Sequence, residues 1–228
     1  MALCLVSSPA ATTIIPPDPS VTIGRMIPLD GFVDETGRPL VSGDAGDERP
    51  WIVSPIYTRC PQTCTPLTNA LHAALGTAGL GPLDYRVVSL SIDPAETAEG
   101  LAAFRTRLAL PPGWRTVHAT DPLVLGRTLR ALDFRTITVA DGILEHPNLV
   151  AVLGADRRLV GYVLGVRPDA GELAAAVKRA RGGPGPLDRW RPVVTGVAAV
   201  GFVSSGIVLV ALLARRSGRR KTARASNC

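Results

Sequence analysis

Apolar and polar positions along the chain follow two periods. Short apolar runs with strand character cover Trp51–Tyr57, 85–92 (YRVVSLSI), 115–119 (RTVHA), 148–153 (NLVAVL) and 158–164 (RLVGYVL). Between them the spacing turns helical: beyond Pro61, residues Leu67, Leu71, Ala74 and Leu75 fall at the i, i+4, i+7, i+8 positions of one apolar face. Helices are likewise expected over 94–109 and 122–132. A last one opens at Asp169, with Glu172 three residues on and Leu173, Val177 and Ala180 on one face. Strand–helix alternation in the first part predicts parallel strands. The later pairs, TITV with ILEH and NLVAVL with RLVGYVL, read as hairpins. Together they predict an α/β fold, a central mixed sheet flanked by helices. Near the start, IPLDGFVDETGRPLV breaks at 35–37 as a hairpin would, and Pro55 is expected to weaken or bulge its strand.

Three X-Pro pairs mark expected helix starts: Asp93-Pro94, Asp121-Pro122 and Cys60-Pro61, the first residue capping and proline taking the first helical position. The third would set a cysteine at a helix head, where partial positive charge and free N–H groups favour the thiolate.

One run has neither period. From Pro192 to Ala214 no residue is charged, and as a helix this stretch would be roughly 34 Å long, enough to span a bilayer. It divides the chain into an expected 1–26 (signal-peptide remnant and flexible tether), a folded domain at 27–181, a linker at 182–191, a transmembrane helix at 192–214 and a basic tail at 215–228. The apolar Ala2–Val6, followed by small residues, reads as the end of an export signal that begins upstream. Positive-inside logic puts the tail in the cytoplasm and the domain on the extracytoplasmic side of the cell membrane.

Charge then changes less than its total implies. The net charge is +6, but six of the 25 basic residues lie in 215–228 with no acid among them, so the remaining 19 balance the 19 acids. A neutral domain disfavours nucleic acid as partner.

Of four cysteines, Cys4 falls in the expected leader and Cys228 in the expected tail, so only Cys60 and Cys64 share a compartment. Three residues apart, where a strand hands over to a helix, they could form a structural disulfide, a redox disulfide or part of a metal site. Among the histidines, His72 points away from the apolar helix face, and His118, alternating with apolar neighbours in a strand, is expected to be a satisfied core histidine. His146 precedes Pro147 and a strand, the pattern in which thioredoxin-like proteins set a cis proline opposite their cysteines. Two thiolates and one imidazole suit copper, whereas a closed zinc site would want a fourth ligand. With only Met1 and Met26 the chain is not a methionine-rich copper carrier.

The stretch Tyr57-Thr58-Arg59-Cys60-Pro61-Gln62-Thr63-Cys64 resembles the Y-T-x-C-P-x-x-C-P signature of the Sco/SenC family. Ser91-Ile92-Asp93-Pro94 resembles that family's S-V-D-P, and His146, ahead of Gly154, its histidine. Thr65, Pro55 and Pro147 depart from the pattern without removing a ligand. The resemblance implies a thioredoxin-like fold, copper bound by Cys60, Cys64 and His146, and Asp93 and Pro147 near the site. It further implies the copper-binding subunit of cytochrome c oxidase as recipient, with a copper donor and a thiol reductant as further partners. The rival expectation is a thiol-disulfide oxidoreductase, Cys60 attacking and Cys64 resolving, that reduces a copper-receiving protein. A thiol peroxidase lacks its T-x-x-C motif here, and a redox sensor stays open.

Overall fold

The computed structural model describes residues 14–41, 46–139 and 142–182. The expected membrane span, basic tail and linker, with Cys4 and Cys228, lie outside these. No helix among the described residues is long and apolar enough to cross a membrane.

Six strands form one sheet in the order β1 (Phe32–Asp34), β4 (Trp114–Ala119), β3 (Arg86–Ser91), β2 (Trp51–Ile56), β7 (Leu149–Leu153), β8 (Leu159–Leu164). The pairs β2–β3 and β3–β4 run parallel, while β1–β4, β2–β7 and β7–β8 run antiparallel. The sheet is thus mixed, as the alternation followed by a hairpin predicts. A two-stranded ribbon, β5 (Ile137–Thr138) and β6 (Leu144–Glu145), is the other expected hairpin. The break at 35–37 is a turn closed by Asp34 N–H to Arg38 O and Leu40 N–H to Phe32 O.

Around the sheet lie α2 (Cys64–Thr77), α3 (Ala98–Arg107), α4 (Pro122–Ala131) and α5 (Ala170–Arg181), with a short α1 (Pro19–Thr22) before them. Helices α2 and α5 pack on each other, and α5 lies against β7 and β8. The predicted stripes of both helices are buried: Leu67, Leu71, Ala74 and Leu75 on α2, and Leu173, Val177 and Ala180 on α5. Asp121 and Asp169 cap α4 and α5 by accepting from Leu123 and Glu172 N–H.

Two helix starts differ from expectation. Helix α2 begins at Cys64 with Thr63 as cap, not at Pro61 with Cys60 as cap. The reason is Pro66. It fits the first turn of a helix starting at Cys64, where its missing N–H has no intrahelical partner to lose. In a helix starting at Pro61 it would fall one turn further in, breaking a hydrogen bond and clashing with the preceding turn. Helix α3 begins at Ala98, where the Thr97 hydroxyl accepts from Gly100 N–H. Asp93 instead accepts from Ala95 N–H in a separate turn.

Pro55 does not bulge its strand. It sits in register opposite Leu90 of β3 within a strand whose every residue is buried. The carbonyls of Pro50 and Ile56 both accept from the β3 side, from Arg86 and Ile92 N–H. Even-numbered residues of β2 therefore turn their backbone groups toward β3, and Pro55 turns toward β7. Pairing with β7 ends at Val53, so the missing N–H falls where the ladder has already stopped. Beyond that point β2 and β7 part, and the functional site occupies the gap.

Candidate metal centre

Three side chains meet there. The sulfurs of Cys60 and Cys64 and a ring nitrogen of His146 all lie within 4.8 Å of one another, the one such group of three or more potential ligands found among the described residues. Each reaches the site from a different local structure. Cys60 sits in the turn after β2, Cys64 is the first residue of α2, and His146 ends the ribbon just before β7.

Tyr57 continues β2 past Pro55 with the same backbone orientation toward the gap. Its N–H approaches Cys64 Sγ at 3.5 Å. Cys64 N–H in turn lies 3.4 Å from Cys60 Sγ. The helix N-terminus thus does reach Cys60, but through a backbone donor of α2 rather than by Cys60 capping the helix. Cys60 is half-buried and Cys64 buried, and both are free thiols. The expected redox disulfide is therefore not formed in this structure.

The two sulfurs ionise very differently. Cys60 is held far below the usual thiol range, first by the Cys64 thiol donating to it and then by the backbone N–H groups of Gln62 and Cys64, against the opposing effect of burial. Cys64 is pushed above it, first by Cys60 and then by burial. The pair therefore carries one proton, on Cys64, and presents a thiolate at Cys60.

His146 is buried between two rings, Tyr57 at 5.8 Å and Phe134 at 5.7 Å between centroids. Its Nδ1 lies 3.0 Å from the Pro147 carbonyl oxygen. A carbonyl can only accept, so Nδ1 carries the proton and Nε2 keeps its lone pair. That lone pair faces Cys64 Sγ at 3.8 Å. Pro147 thereby acts through its carbonyl, and its peptide bond is trans, not cis as the sequence pattern predicts. Trans is the ordinary preference of an X-Pro bond.

The donor set fits a soft metal ion. Metal–sulfur and metal–nitrogen bonds are about 2.0–2.3 Å long, so donors within 4.8 Å of one another can close on one ion with small movements. A protonated Nδ1 held by a backbone carbonyl is the usual support of a ligating imidazole. Two sulfurs and one nitrogen make a three-donor set of the kind that soft metal ions take.

Asp93 is nearby but not part of this group. It is buried and held by the guanidinium of Arg59, so it anchors the residue before Cys60. His72 is exposed, as expected, and rests edge-on against Trp114. His118 is half-buried, opposite Val33 of the edge strand β1, rather than the core histidine expected.

Glu96 was not foreseen. Its carboxylate accepts from Thr58 N–H at 3.0 Å, the Thr58 hydroxyl at 2.7 Å and the Ser91 hydroxyl at 3.0 Å. It ties the turn that carries Cys60 to the end of β3. The substitution Glu96→Ala is expected to cost about 1–3 kcal/mol, read as a lower urea midpoint with an unchanged m-value.

A cavity of about 270 Å³ opens beside the thiols, lined by Tyr57, Cys60, Gln62, Leu144, His146 and Asn148 among others. This is a thioredoxin-like domain with a half-buried thiolate, a buried thiol and an imidazole that has a free lone pair. A protein of Aquifex aeolicus VF5 described as a candidate electron transfer protein is 30% identical, with a TM-score of 0.65 over 72% of this chain and 98% of its own. BsSco, of the Sco family of cytochrome c oxidase assembly proteins, is 17% identical with a TM-score of 0.58, over 71% of this chain and 96% of its own. Arabidopsis thaliana ScoI with copper bound is 16% identical with a TM-score of 0.54, over 67% and 98%. No family model and no curated protein matches the chain. The chain belongs to one family with the Aquifex protein, and its fold is that of the Sco/SenC proteins.

Proposed function

We propose that this protein is a copper-binding assembly factor of the Sco type. Cys60 and Cys64 supply thiolates, His146 supplies Nε2, and copper is the cargo, received from a donor and passed to the copper-binding subunit of cytochrome c oxidase. The observation that carries this reading is the convergence of the three donor atoms within 4.8 Å from segments 82 residues apart. The copper bound to Arabidopsis ScoI and the oxidase-assembly role of the Sco family support it. We further propose that the domain at 27–181 faces the extracytoplasmic side, anchored in the cell membrane by 192–214 with the tail at 215–228 in the cytoplasm. The charge-free run and the arginine-rich end support that arrangement.

Titrating the reduced protein with Cu(I) against a competing chelator tests the cargo. One copper per chain is expected, held far more weakly in Cys60→Ser and Cys64→Ser. Absence of stoichiometric binding in the parent protein contradicts the proposal.

The divided ionisation of the thiols favours a second reading, thiol-disulfide exchange on a copper-receiving partner, with Cys60 attacking and Cys64 resolving. The two readings separate at His146. Loss of oxidase assembly in His146→Ala with disulfide exchange intact favours the carrier.

A further inference from the structure

The far end of the sheet holds a larger cavity than the one beside the thiols. It measures about 640 Å³, within the range of small-molecule sites. Its walls include Trp51, Arg86 and Trp114, the first residues of β2, β3 and β4, whereas the metal centre lies past the opposite end of β2. Gly76 of α2 also lines it, 12 residues beyond Cys64 in that helix, a rise of roughly 18 Å.

Two glycines keep the space open. Gly76, near the end of α2, and Gly113, just before β4, both line the cavity, and neither has the left-handed backbone that favours glycine. A Cβ at either position would meet no atom within 4 Å. Neither backbone geometry nor packing among the described residues asks for glycine there, and in a helix glycine costs stability relative to alanine.

The polar groups of the wall are short of acceptors. The Asp47 carboxylate is held by Arg49 at 2.7 Å and Arg86 at 3.8 Å. The Pro82 carbonyl accepts from Arg49 and the Leu40 carbonyl from Arg115. Two donors are left over: the indole N–H of Trp51 and the Nε–H of Arg115 are buried and meet no acceptor. The Arg86 guanidinium lies 3.9 Å from the centre of the Trp51 ring, so positive charge and an aromatic face meet in the wall. Trp51, Tyr85 and Trp114 suit a flat apolar body. Two guanidinium groups on one carboxylate suit a negative charge carried by that body.

We propose that this cavity is a second binding site, for a small planar aromatic anion: a carboxylate or sulfonate on a ring system. The assignment goes beyond the copper reading and does not depend on it.

The probe is 1-anilinonaphthalene-8-sulfonate, titrated into the whole chain, with energy transfer from tryptophan to the dye as the signal. Gly76→Phe fills the space from a position whose Cβ meets nothing, and circular dichroism checks that it folds. The parent protein is expected to show one saturable dye site per chain that is absent from Gly76→Phe under the same conditions. N-phenyl-1-naphthylamine, the same rings without the sulfonate, is expected to fill that site about tenfold more weakly, the worth of one hydrogen bond to a charged group. Superimposable curves for the parent and Gly76→Phe mean that the dye collects elsewhere on the protein, and they overturn the proposal. Equal affinity for the two dyes overturns the assignment of an anion. If Gly76→Phe does not fold, Gly113→Phe decides in its place with the same expectations. No copper enters the measurement, so its failure is separate from any failure of the copper titration.

Discussion

In His146→Ala, the affinity of the reduced protein for Cu(I) falls by about a hundredfold or more. Loss of a mere supporting group around a metal costs 10- to 100-fold, and His146 is placed as a direct donor. Its Nε2 lone pair is fixed by the Nδ1 hydrogen bond to Pro147 O and lies 3.8 Å from Cys64 Sγ. The two thiols remain, so the variant still binds Cu(I), in a weaker two-sulfur form. Competition with a chelator of known affinity measures the loss. Because His146 is packed between Tyr57 and Phe134, a cavity also forms, and the melting temperature falls by a few degrees. An affinity within threefold of the parent's would remove His146 from the ligand set.

Alkylation of the reduced, metal-free protein at pH 7 modifies Cys60 on the order of a hundred times faster than Cys64. An ordinary thiol of pKa about 8.5 is roughly 3% thiolate at that pH. Cys60, whose acidity is raised by the Cys64 thiol and the backbone donors, is almost wholly thiolate. Cys64 is pushed the other way by Cys60 and burial, so its thiolate fraction lies below that of an ordinary thiol. Part of the gain is returned, since a more acidic thiolate is a weaker nucleophile. Burial compensates: Cys64 is only 1% exposed, while Cys60 borders the open cavity. The rate at Cys60 should be flat from pH 5 to 8, because its thiolate is already formed. A rate that climbs tenfold per pH unit across that range would mean an unperturbed thiol. Mass spectrometry of peptides containing each cysteine reads both.

The alternation of strand and helix was legible because it rests on local periodicity, and the stripes on α2 and α5 are buried where they were placed. The grouping of Cys60, Cys64 and His146 was legible for a different reason. Cysteine pairs and a histidine before a strand are rare enough to be singled out, and the resemblance to Sco/SenC proteins tied them together. The structure sharpened what depends on competing local signals. Pro61 and Pro66 both offer a helix start, and only the second avoids a proline inside the helix. Thr97 outcompeted Asp93 as a cap, leaving Asp93 free to hold Arg59.

Other features depend on distant parts of the chain and leave no local trace. Glu96 matters because Thr58 lies against it from 38 residues away. Pro55 is harmless because β7 stops pairing at Val53.

The central claim is that one copper ion is held by Cys60, Cys64 and His146 together. X-ray absorption at the copper edge of the Cu(I)-loaded protein tests it most directly. The account predicts a first shell of two sulfurs and one nitrogen, reduced to one sulfur in Cys60→Ser and stripped of the nitrogen in His146→Ala. A shell of nitrogen and oxygen alone, unchanged by these substitutions, would contradict it.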